Sequence, residues 1–365
     1  MERHSNTIRN HGRTLGLMLW SGFYGLGVAG LSGIVHATNC GGTLEPGQAL
    51  EAPLLDCSVS PALTVEGPGS FDLNGHTISC ALPGDGTLTG TGIMVTGSGA
   101  RLRNGTSKNC DRSVVIGGDG RHELTRLTVK SPNVTDNVGN TYDQGIAFQV
   151  LSSRNRIFGN WVRQYAGEGF RLDADSANKN ILSFNLVRDS ANHAFRVRSG
   201  QYNIFFANIA RDNTGPKGGK VQGEGFRSQD LGTMFIANIA TGNGDEGFRL
   251  RDETATENLL ISNIARGNGL EPCNLAAEDA NPGIAITRDS SSNWIFHNAV
   301  NGNCVGIGIN TSSVDNWVVK NTALNNALVD LADGNSNCDM NTWLENEFNT
   351  SAVGPLFNED PGCIQ

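Results

Sequence analysis

Arginine recurs in a short phrase that is written four times between residues 167 and 251. The copies read GEGFRLD at 167–173, NHAFRVR at 192–198, GEGFRSQ at 223–229 and DEGFRLR at 245–251. Alternation of phenylalanine, arginine and usually an aliphatic residue has the period of a strand, with the arginine facing outward. Because a guanidinium binds carboxylate or sulfate groups through two hydrogen bonds, the phrase predicts a row of anion-binding side chains.

The charged residues of this phrase form the candidate binding site. Its arginines are Arg171, Arg196, Arg198, Arg227, Arg249 and Arg251. The residues two places before each phenylalanine are Glu168, His193, Glu224 and Glu246. Stacked arginines repel one another, so the glutamates predict either a surface salt-bridge ladder or part of a groove that binds an acidic polysaccharide. Neighbouring repeats carry Ala147, Ala285 and Gly308 in place of the arginine, which favours the groove.

A second phrase, a short apolar strand bracketed by two asparagines, alternates with the first. A second arginine series follows it at Arg163, Arg188, Arg211 and Arg266, which we interpret as solvated surface. A repeat of 22–25 residues fits three short strands and three turns, whose parallel stacking gives a solenoid. Asparagine tolerates left-handed turns and can hydrogen-bond to its copies in adjacent coils. We predict an all-β, single-stranded parallel β-helix of about ten to eleven coils.

The wording FDLNGHTI at 71–78, after Cys40 and Cys57, resembles the opening of secreted right-handed parallel β-helix proteins. The order of strands and asparagine bends is similar to that of the pectate-lyase-like superfamily. The resemblance implies an N-terminal cap at 38–80, a right-handed β-helix at 81–346 and a C-terminal tail at 347–365. It also implies that the Gly-Phe-Arg sheet and the loops beside it form a substrate cleft.

Inserted loops are expected beside this sheet. The longer repeats carry extra residues at about 132–143, 212–223 and 268–282, all in the same turn. Lys217 and Lys220 lie on the second insertion, and Tyr165 lies on the same turn. Lyases of the resembled superfamily act by β-elimination, and a lysine or tyrosine over an arginine-bound uronate could remove the proton beside its carboxylate. Polysaccharide lyase activity is therefore the first functional hypothesis.

Two other functions stay open. A β-helix that binds a cell-surface glycan or another surface without catalysis is the main alternative, and a glycoside hydrolase is the third. Glu168 and Glu224 could supply the two carboxyls of a hydrolase, although the paired aspartate motifs of polygalacturonases are absent. The same two glutamates are expected to raise the pKa of His193, which would suit it to charge balance or general acid catalysis.

The first 37 residues predict export. Arginines precede an apolar, glycine-rich run from Leu15 to Val35, and Val35-His36-Ala37 has the form of a cleavage site, so 1–37 is interpreted as a signal peptide. An uncleaved membrane anchor is the alternative. All 8 cysteines follow this segment, which favours disulfides in an oxidising compartment. The predicted pairs are Cys40–Cys57, Cys80–Cys110, Cys273–Cys304 and Cys338–Cys363.

Cofactors and partners follow from charge and residue types. The net charge of −9 argues against nucleic acid as a partner. Scattered histidines and the absence of a CxxC motif predict no zinc site. Calcium could be held by acidic turn residues, namely Asp173, Asp175, Asp230, Asp245 and Asp252. The mature protein is expected to be secreted or periplasmic, monomeric and free of the membrane, with an acidic polysaccharide or cell-surface glycan as its partner.

Overall fold

The computed structural model describes residues 39–83, 88–131, 145–217, 220–270, 273, 281–338, 340–354 and 361–365. The expected signal peptide and the insertion at about 132–143 lie outside these ranges, as does most of the insertion at 268–282. No helix within these ranges is long and apolar enough to cross a membrane.

Three columns of parallel strands run along the molecule, and each central coil adds one strand to each column. The first column is a 13-stranded sheet, all of whose neighbours pair in parallel, for example at Arg171 and Arg196. Its strands are Gly42–Leu44, Leu63–Glu66, Thr89–Thr96, Cys110–Ile116, Ile146–Val150, Glu168–Asp173, Phe195–Ser199, Phe226–Ser228, Phe248–Arg251, Pro282–Thr287, Val305–Ile309, Val329–Asp333 and Ser351–Val353. The predicted all-β parallel β-helix is thereby confirmed.

The second and third columns meet at the asparagine bends. The second column contains Gly69–Asp72, Arg156–Phe158, Ile181–Ser183, Ile204–Phe206, Met234–Ile236, Leu259–Ile261, Trp294–Phe296, Trp317–Val319 and Thr342–Leu344. The third contains Leu54–Cys57, Thr77–Cys80, Trp161–Tyr165, Leu186–Ser190, Ile209–Arg211, Ile239–Thr241, Ile264–Arg266, Ala299–Asn301, Thr322–Leu324 and Glu347–Phe348. The longer strands Ala100–Lys108 and Glu123–Lys130 belong to both columns.

The remaining elements are a hairpin and two short turns. Gly215–Lys217 pairs in antiparallel fashion with Lys220–Gln222, within the insertion expected at 212–223. One-turn 3₁₀ helices span Ser336–Cys338 and Pro361–Cys363.

The first sheet has more strands than the predicted number of coils because it continues into both predicted end segments. Gly42–Leu44 pairs with Leu63–Glu66, and both belong to the segment assigned to the cap. At the other end, Ser351–Val353 of the expected tail pairs with Val329–Asp333. The hydrogen-bonded sheet thus runs almost from one end of the described chain to the other.

The interior of the helix holds a stack of phenylalanine rings, as the repeated phrase predicts. Their centroids lie 4.5–5.1 Å apart in the order Phe148, Phe170, Phe195, Phe226 and Phe248. Among the neighbouring repeats without arginine at this position, the register of the first differs from the prediction: Gln149, rather than Ala147, pairs with Arg171. The inserted residues before this strand hide that register in the sequence, because they make the interval between repeats irregular.

Buried asparagines form three ladders at the turns. In each, the side-chain Nδ2–H donates to Oδ1 of the asparagine in the next coil, as from Asn160 to Asn185 at 3.0 Å. The same Oδ1 accepts the backbone N–H of the previous asparagine, also at 3.0 Å. Two ladders follow the asparagine pairs of the second phrase. The third, which the sequence analysis missed, contains Asn213, Asn243, Asn268, Asn303 and Asn326.

The ladders have one gap and defined ends. Thr233 interrupts the ladder of Asn203 and Asn258, and its buried Oγ1 has no hydrogen-bond partner. At the C-terminal end Asn326 Nδ2 donates to Asp330 Oδ1 at 2.9 Å, and Asn341 Nδ2 donates to Asp333 Oδ2 at 3.1 Å. Two ladders therefore end on side-chain carboxyl groups.

The structure contains four disulfides, which join the same cysteines that the sequence analysis paired. They are Cys40–Cys57, Cys80–Cys110, Cys273–Cys304 and Cys338–Cys363. The first two lie at the N-terminal end of the helix, and the last joins the two 3₁₀ turns near the C-terminus.

Candidate functional site

The arginine row lies on the outer side of the first sheet in the predicted register. Arg171, Arg196, Arg227 and Arg249 pair in successive strands, and Ala285 takes this position in the next one. The row is not the exposed stripe that the phrase predicts, since three of its members are only 6% exposed. The ion-pair ladder therefore exists, but it is buried rather than superficial.

Glu168 joins the first two coils of the row. Its carboxylate lies 2.8 Å from Nη1 of Arg196 and 3.7 Å from Nε of Arg171. Nη2 of Arg171 is also 2.9 Å from the carboxylate of Asp173. Because arginine only donates hydrogen bonds, the row needs acceptors from other positions of the repeat, and these two acidic residues supply them.

Glu224 lies at the centre of the other half. Its Oε1 lies 3.3 Å from Nη1 of Arg227 and 3.3 Å from Nη1 of Arg249. Burial alone would raise the pKa of Glu224, but the positive charges of Arg227 and Arg249, among others, outweigh it and lower the pKa to about 2. The Glu224 carboxylate is therefore ionised at neutral pH.

The prediction that the His193 imidazole is protonated is wrong. Burial lowers the pKa of His193 to about 4 and outweighs the attraction of Glu224 and Glu168, so the ring is neutral at pH 7. Nε2 lies 3.3 Å from Nη1 of Arg227, which can only donate, and this contact assigns the proton to Nδ1. Nδ1 faces Glu224 Oε2 at 3.5 Å. His193 is thus a neutral link between a cation and an anion, not a charge-balancing acid.

Three carboxyl groups meet beside the row, since Glu224, Asp245 and Glu246 place oxygens within 4.8 Å of one another. Burial and the charges of Glu246 and Glu224 raise the pKa of Asp245 to about 10. Burial also raises the pKa of Glu246. The group therefore contains a carboxyl that keeps its proton at neutral pH and another that has lost it, which is the arrangement of an acid and base pair.

Asp245 was named from the sequence only as a possible calcium ligand, and its place in this group was missed. A signal was available in the repeat. The fourth copy of the phrase begins Asp-Glu, whereas the first and third begin Gly-Glu. In the fourth copy alone, a carboxylate stands where two other copies have a residue without a side chain. This difference marks the position.

Several buried polar atoms of the site form no hydrogen bond in the structure. They include Oε2 of Glu168, Oε2 of Glu224, Oε2 of Glu246, Nδ1 of His193, Nε of Arg227 and Nε of Arg251. Buried polar atoms are normally satisfied, and each exception costs about 1–3 kcal/mol. Stability alone therefore gives no reason for this set of residues at the centre of the sheet.

The outer part of the site is more accessible. The Arg198 side chain is 52% exposed and lies 3.6 Å from the carboxylate of Asp173. Burial and the neighbouring charges of Arg227 and Arg249 lower the pKa of Arg251 to about 10. The guanidinium groups thus lie in a positive potential that they create together, and a bound anion would reduce it.

Tyr165 does not reach this surface. Its side chain is 1% exposed, and its hydroxyl lies 2.8 Å and 3.0 Å from the carbonyl oxygens of Cys110 and Asp111. Burial raises the pKa of this phenol above its usual range. The placement of Tyr165 in a substrate cleft is therefore corrected: its ring belongs to the core, because the strand Trp161–Tyr165 turns it inward.

Lys217 and Lys220 lie on the two strands of the hairpin, opposite each other. Their side chains lie outside the described part of the structure. The base of the hairpin approaches the preceding coil closely, because a Cβ added at Gly215 would overlap the backbone oxygen of Ala191. The backbone of the second insertion is therefore seated directly on the coil that carries His193.

The residues present do not fit calcium. Glu224, Asp245 and Glu246 form a group of the right composition, but Arg249 Nη1 lies 2.9 Å from Glu246 and 3.3 Å from Glu224. A guanidinium at these distances bonds one oxygen of each of these two carboxylates, and its charge repels a second cation. Of the other acidic residues considered from the sequence, none joins a group of this kind among the residues described.

Comparison with known proteins places the fold. Residues 173–323 match a family model described as the right handed beta helix region. The chain is a right-handed parallel β-helix protein. This right-handed β-helix is the fold that the sequence resemblance implied. A comparison with curated protein sequences finds no match.

Solved structures with similar folds share little sequence with this β-helix protein. The A-module of a mannuronan C-5 epimerase from Azotobacter vinelandii is 11% identical, over 87% of this chain and 86% of that one, with a TM-score of 0.44. A pectate lyase is 15% identical, over 80% and 72%, with a TM-score of 0.40. Endopolygalacturonase I from Stereum purpureum is 12% identical, over 86% and 88%, with a TM-score of 0.36. Identities this low concern the fold alone.

Proposed function

We propose that this β-helix protein binds an acidic polysaccharide across the outer side of the first sheet and cleaves it by β-elimination. The observation that carries the proposal is the row Arg171, Arg196, Arg227 and Arg249, in register on four successive strands. At about 4.8 Å per coil the row is about 14 Å long, which matches roughly three sugar units. Arg198, which is largely exposed, supplies a first contact for the anionic chain.

Elimination from a uronate needs three groups, and this site offers candidates for each. A guanidinium paired with the uronate carboxylate stabilises the charge that develops when the adjacent proton leaves. Glu224, ionised at neutral pH, is the candidate base within the described residues. Asp245, which keeps its proton, is the candidate acid for the departing glycosidic oxygen. The loop residues Lys217 and Lys220 remain alternatives for the base.

Hydrolysis is the second candidate, because the same split in pKa between Glu224 and Asp245 serves it. Their carboxyl oxygens lie within 4.8 Å, close to the about 5–5.5 Å that separates the carboxyl groups of retaining glycosidases. Hydrolysis, however, does not require a cation on the uronate carboxylate. An arginine paired with the uronate carboxylate would take part in the chemical step of elimination and not only in binding, and this ranks the two reactions.

Export supports an extracellular polymer as the substrate. Four disulfides form within the described chain, which is typical of proteins from oxidising compartments. We therefore propose that the protein acts outside the cytoplasm, secreted or periplasmic, where polysaccharides of cell walls and surfaces are found.

The test combines binding with product analysis. The purified protein is passed over immobilised polygalacturonate, alginate and heparin, and soluble polymer is assayed for the ultraviolet absorbance of an unsaturated uronate and for new reducing ends. Arg198→Ala is expected to weaken retention by about 5-fold, since one charged contact contributes about 1 kcal/mol. Arg188→Ala is the matched control, because Arg188 is similarly exposed, at 49%, on the third column.

Each outcome separates the functions. Retention with an unsaturated product supports elimination, and new reducing ends without unsaturation assign hydrolysis instead. Retention without any product makes the protein a non-catalytic binder. Equal losses in the two arginine variants, or no retention on any polymer, would remove the arginine row as the binding site.

A further inference from the structure

The four copies of the repeated phrase differ in their last residue, and the difference alternates. The first and third copies end in Asp173 and Gln229, whose side chains can accept hydrogen bonds. The second and fourth copies end in Arg198 and Arg251, whose side chains only donate. This last residue faces outward, two places after the arginine of the row. Each arginine of the row therefore meets either an acceptor or a second arginine in the next coil.

Where the next coil supplies an acceptor at this position, the arginine of the row uses it. Arg196 Nε donates to Gln229 Oε1 at 3.0 Å. Arg249 Nε donates to Thr287 Oγ1 at 3.3 Å, and Thr287 pairs with Arg251 in the strand register. The outward position of the next coil thus normally satisfies the Nε of the row.

Arg227 meets a cation at this position instead. The strand register places Arg251 there in the next coil. Nε of each arginine has no hydrogen-bond partner among the described residues, although the Arg227 side chain is only 7% exposed. Asp252 Oδ1 lies 3.5 Å from Arg251 Nε, and Asp252 Oδ2 accepts from Gln229 at 2.6 Å. Two neighbouring guanidinium groups therefore share donors that the described chain does not satisfy.

The first two copies show which acceptor suits such a pair. Arg171 and Arg198 occupy the same places in their copies as Arg227 and Arg251 do in theirs. One carboxylate oxygen of Asp173 lies 2.9 Å from Arg171 Nη2, and the other lies 3.6 Å from Arg198 Nη1. The residue at the place of Asp173 in the third copy is uncharged and bonds in other directions. The chain thus supplies a carboxylate to the first arginine pair and none to the second.

We propose that Arg227 and Arg251 together bind one carboxylate group of the polysaccharide, as the first arginine pair holds the carboxylate of Asp173. This inference rests on the proposed function, because it takes the carboxylate to be that of a uronate unit. A negative charge at this point also reduces the repulsion between two guanidinium groups in adjacent coils. Nη1 of Arg227 lies 3.3 Å from Glu224 Oε1, so the bound uronate is next to the candidate base.

The test measures binding of the monosaccharide galacturonate, which has one carboxylate and no glycosidic bond to cleave. By titration calorimetry the wild type is expected to bind galacturonate with a millimolar dissociation constant and not to bind its methyl ester. Arg251→Thr copies the next coil, where Thr287 accepts from Arg249. This variant is expected to raise the dissociation constant at least about 10-fold, because one of two charged donors is lost.

Arg266→Thr is the matched control. It removes the same charge from an exposed strand position of the third column, where the preceding coil has Thr241. Because this position lies on another face of the helix, the dissociation constant should change by less than about 2-fold. Arg251→Thr should also keep or raise the melting temperature, since Arg227 exchanges a neighbouring cation for an acceptor. A loss of binding in this variant is then not a loss of folding.

Several results would overturn the proposal. They are equal affinity of the wild type and Arg251→Thr, equal losses in Arg251→Thr and Arg266→Thr, no binding of galacturonate by the wild type, and equal binding of the acid and its ester. Inorganic sulfate is the third probe. Sulfate that binds more tightly than galacturonate, and that Arg251→Thr releases, would assign the pair to sulfate groups and overturn the carboxylate.

The outcome is distinguishable from that of the proposed function. Galacturonate binding that depends on Arg251 supports the inference even if every polymer stays intact. Polymer cleavage together with galacturonate binding that is unchanged in Arg251→Thr would retain the proposed function and overturn this inference.

Discussion

The asparagine ladders and the arginine row both repeat one buried polar residue per coil, yet their hydrogen bonding is opposite. A side-chain amide donates and accepts, so Asn238 and Asn263 satisfy each other with no other residue type. A guanidinium only donates, so Arg227 and Arg249 depend on Glu224 from a different position. The first pattern can be repeated along the whole helix. The second is confined to four coils, and it leaves atoms without partners.

This contrast separates structure from function within a single repeat. The ladder places each polar group where its copy can bond to it, which is what stability requires. The row collects charges that must be balanced pair by pair in a buried setting, where ion pairs contribute little net stability. Substitutions in the two regions should therefore differ in what they affect.

Removing a ladder amide should have the largest effect on stability. Asn263 Oδ1 accepts two hydrogen bonds from Asn238, and its Nδ2 donates to Phe235 O and to Asn298 Oδ1. Asn263→Ala leaves these buried groups unpaired and should lower the free energy of unfolding by about 4 kcal/mol. Equilibrium denaturation measures the change. The exposed neighbour Ser262→Ala is the control, and a similar value for both would contradict the account of the ladder.

Removing the central anion should have a smaller effect on stability and a larger one on activity. Glu224→Gln removes the negative charge that Arg227 and Arg249 share and should cost about 3 kcal/mol. Because Glu224 is the candidate base, polymer cleavage should also fall by at least about 100-fold. The exposed Glu257→Gln serves as control for both readouts. Full activity in a folded Glu224→Gln variant would exclude Glu224 from the chemistry.

The stability difference between the wild type and the Glu224→Gln variant should depend on pH. The pKa of Glu224 is lowered from an ordinary value of 4.5 to about 2, so its ionised form stabilises the folded state. This contribution is complete above pH 4.5 and is lost as the pH falls toward 2. The difference in unfolding free energy between wild type and Glu224→Gln should therefore shrink over that acidic range, and it should be constant near neutrality.

Removing the protonated carboxyl should change stability in the opposite direction. The pKa of Asp245 is raised from 3.8 to about 10, so folding becomes less favourable as the pH rises between these values. Asp245→Asn lacks this penalty and should raise the unfolding free energy at pH 8 by about 1 kcal/mol while lowering cleavage. Asp175→Asn, on an exposed turn, is the control. A destabilised Asp245→Asn variant would show that Asp245 is a structural residue.

The smallest effect is expected from repairing the ladder. Thr233 occupies the ladder position between Asn203 and Asn258, where an asparagine would connect them. Its Oγ1 has no hydrogen-bond partner. Thr233→Asn supplies both the donor and the acceptor and should raise the unfolding free energy by about 0.5–1 kcal/mol. Thermal denaturation should detect this as a higher melting temperature. A lower one would mean that the cavity at this coil does not admit an asparagine side chain.

The fold could be predicted from the sequence because its determinants are local and repeated. Phe170, Phe195 and their copies set the core, and the bend asparagines set the coil length, without knowledge of any distant contact. The site could be predicted only in part. The recurrence of Glu224 and Arg227 at fixed places in the phrase indicates which charges meet, but burial of the arginines depends on neighbouring coils and loops.

The pKa of His193 shows most clearly why chemistry is harder to predict than fold. The glutamates beside His193 in the repeat predict a raised pKa, and their carboxylates do attract a proton. Burial outweighs them, and burial is a property of the assembled site rather than of the phrase. The same reasoning explains why Asp245 was missed, since only the adjacent coil brings it to Glu224.

The carboxylate at the end of a ladder also limits how far that ladder can extend. A terminal asparagine would offer a free amide N–H to the first coil of another molecule, and the stack could grow from chain to chain as a fibre does. Asp330 instead accepts from Asn326 and, with its pKa lowered by hydrogen bonds that outweigh burial, carries a negative charge. The ionised carboxylate has no proton to donate, so the hydrogen bonding of this ladder ends at Asp330.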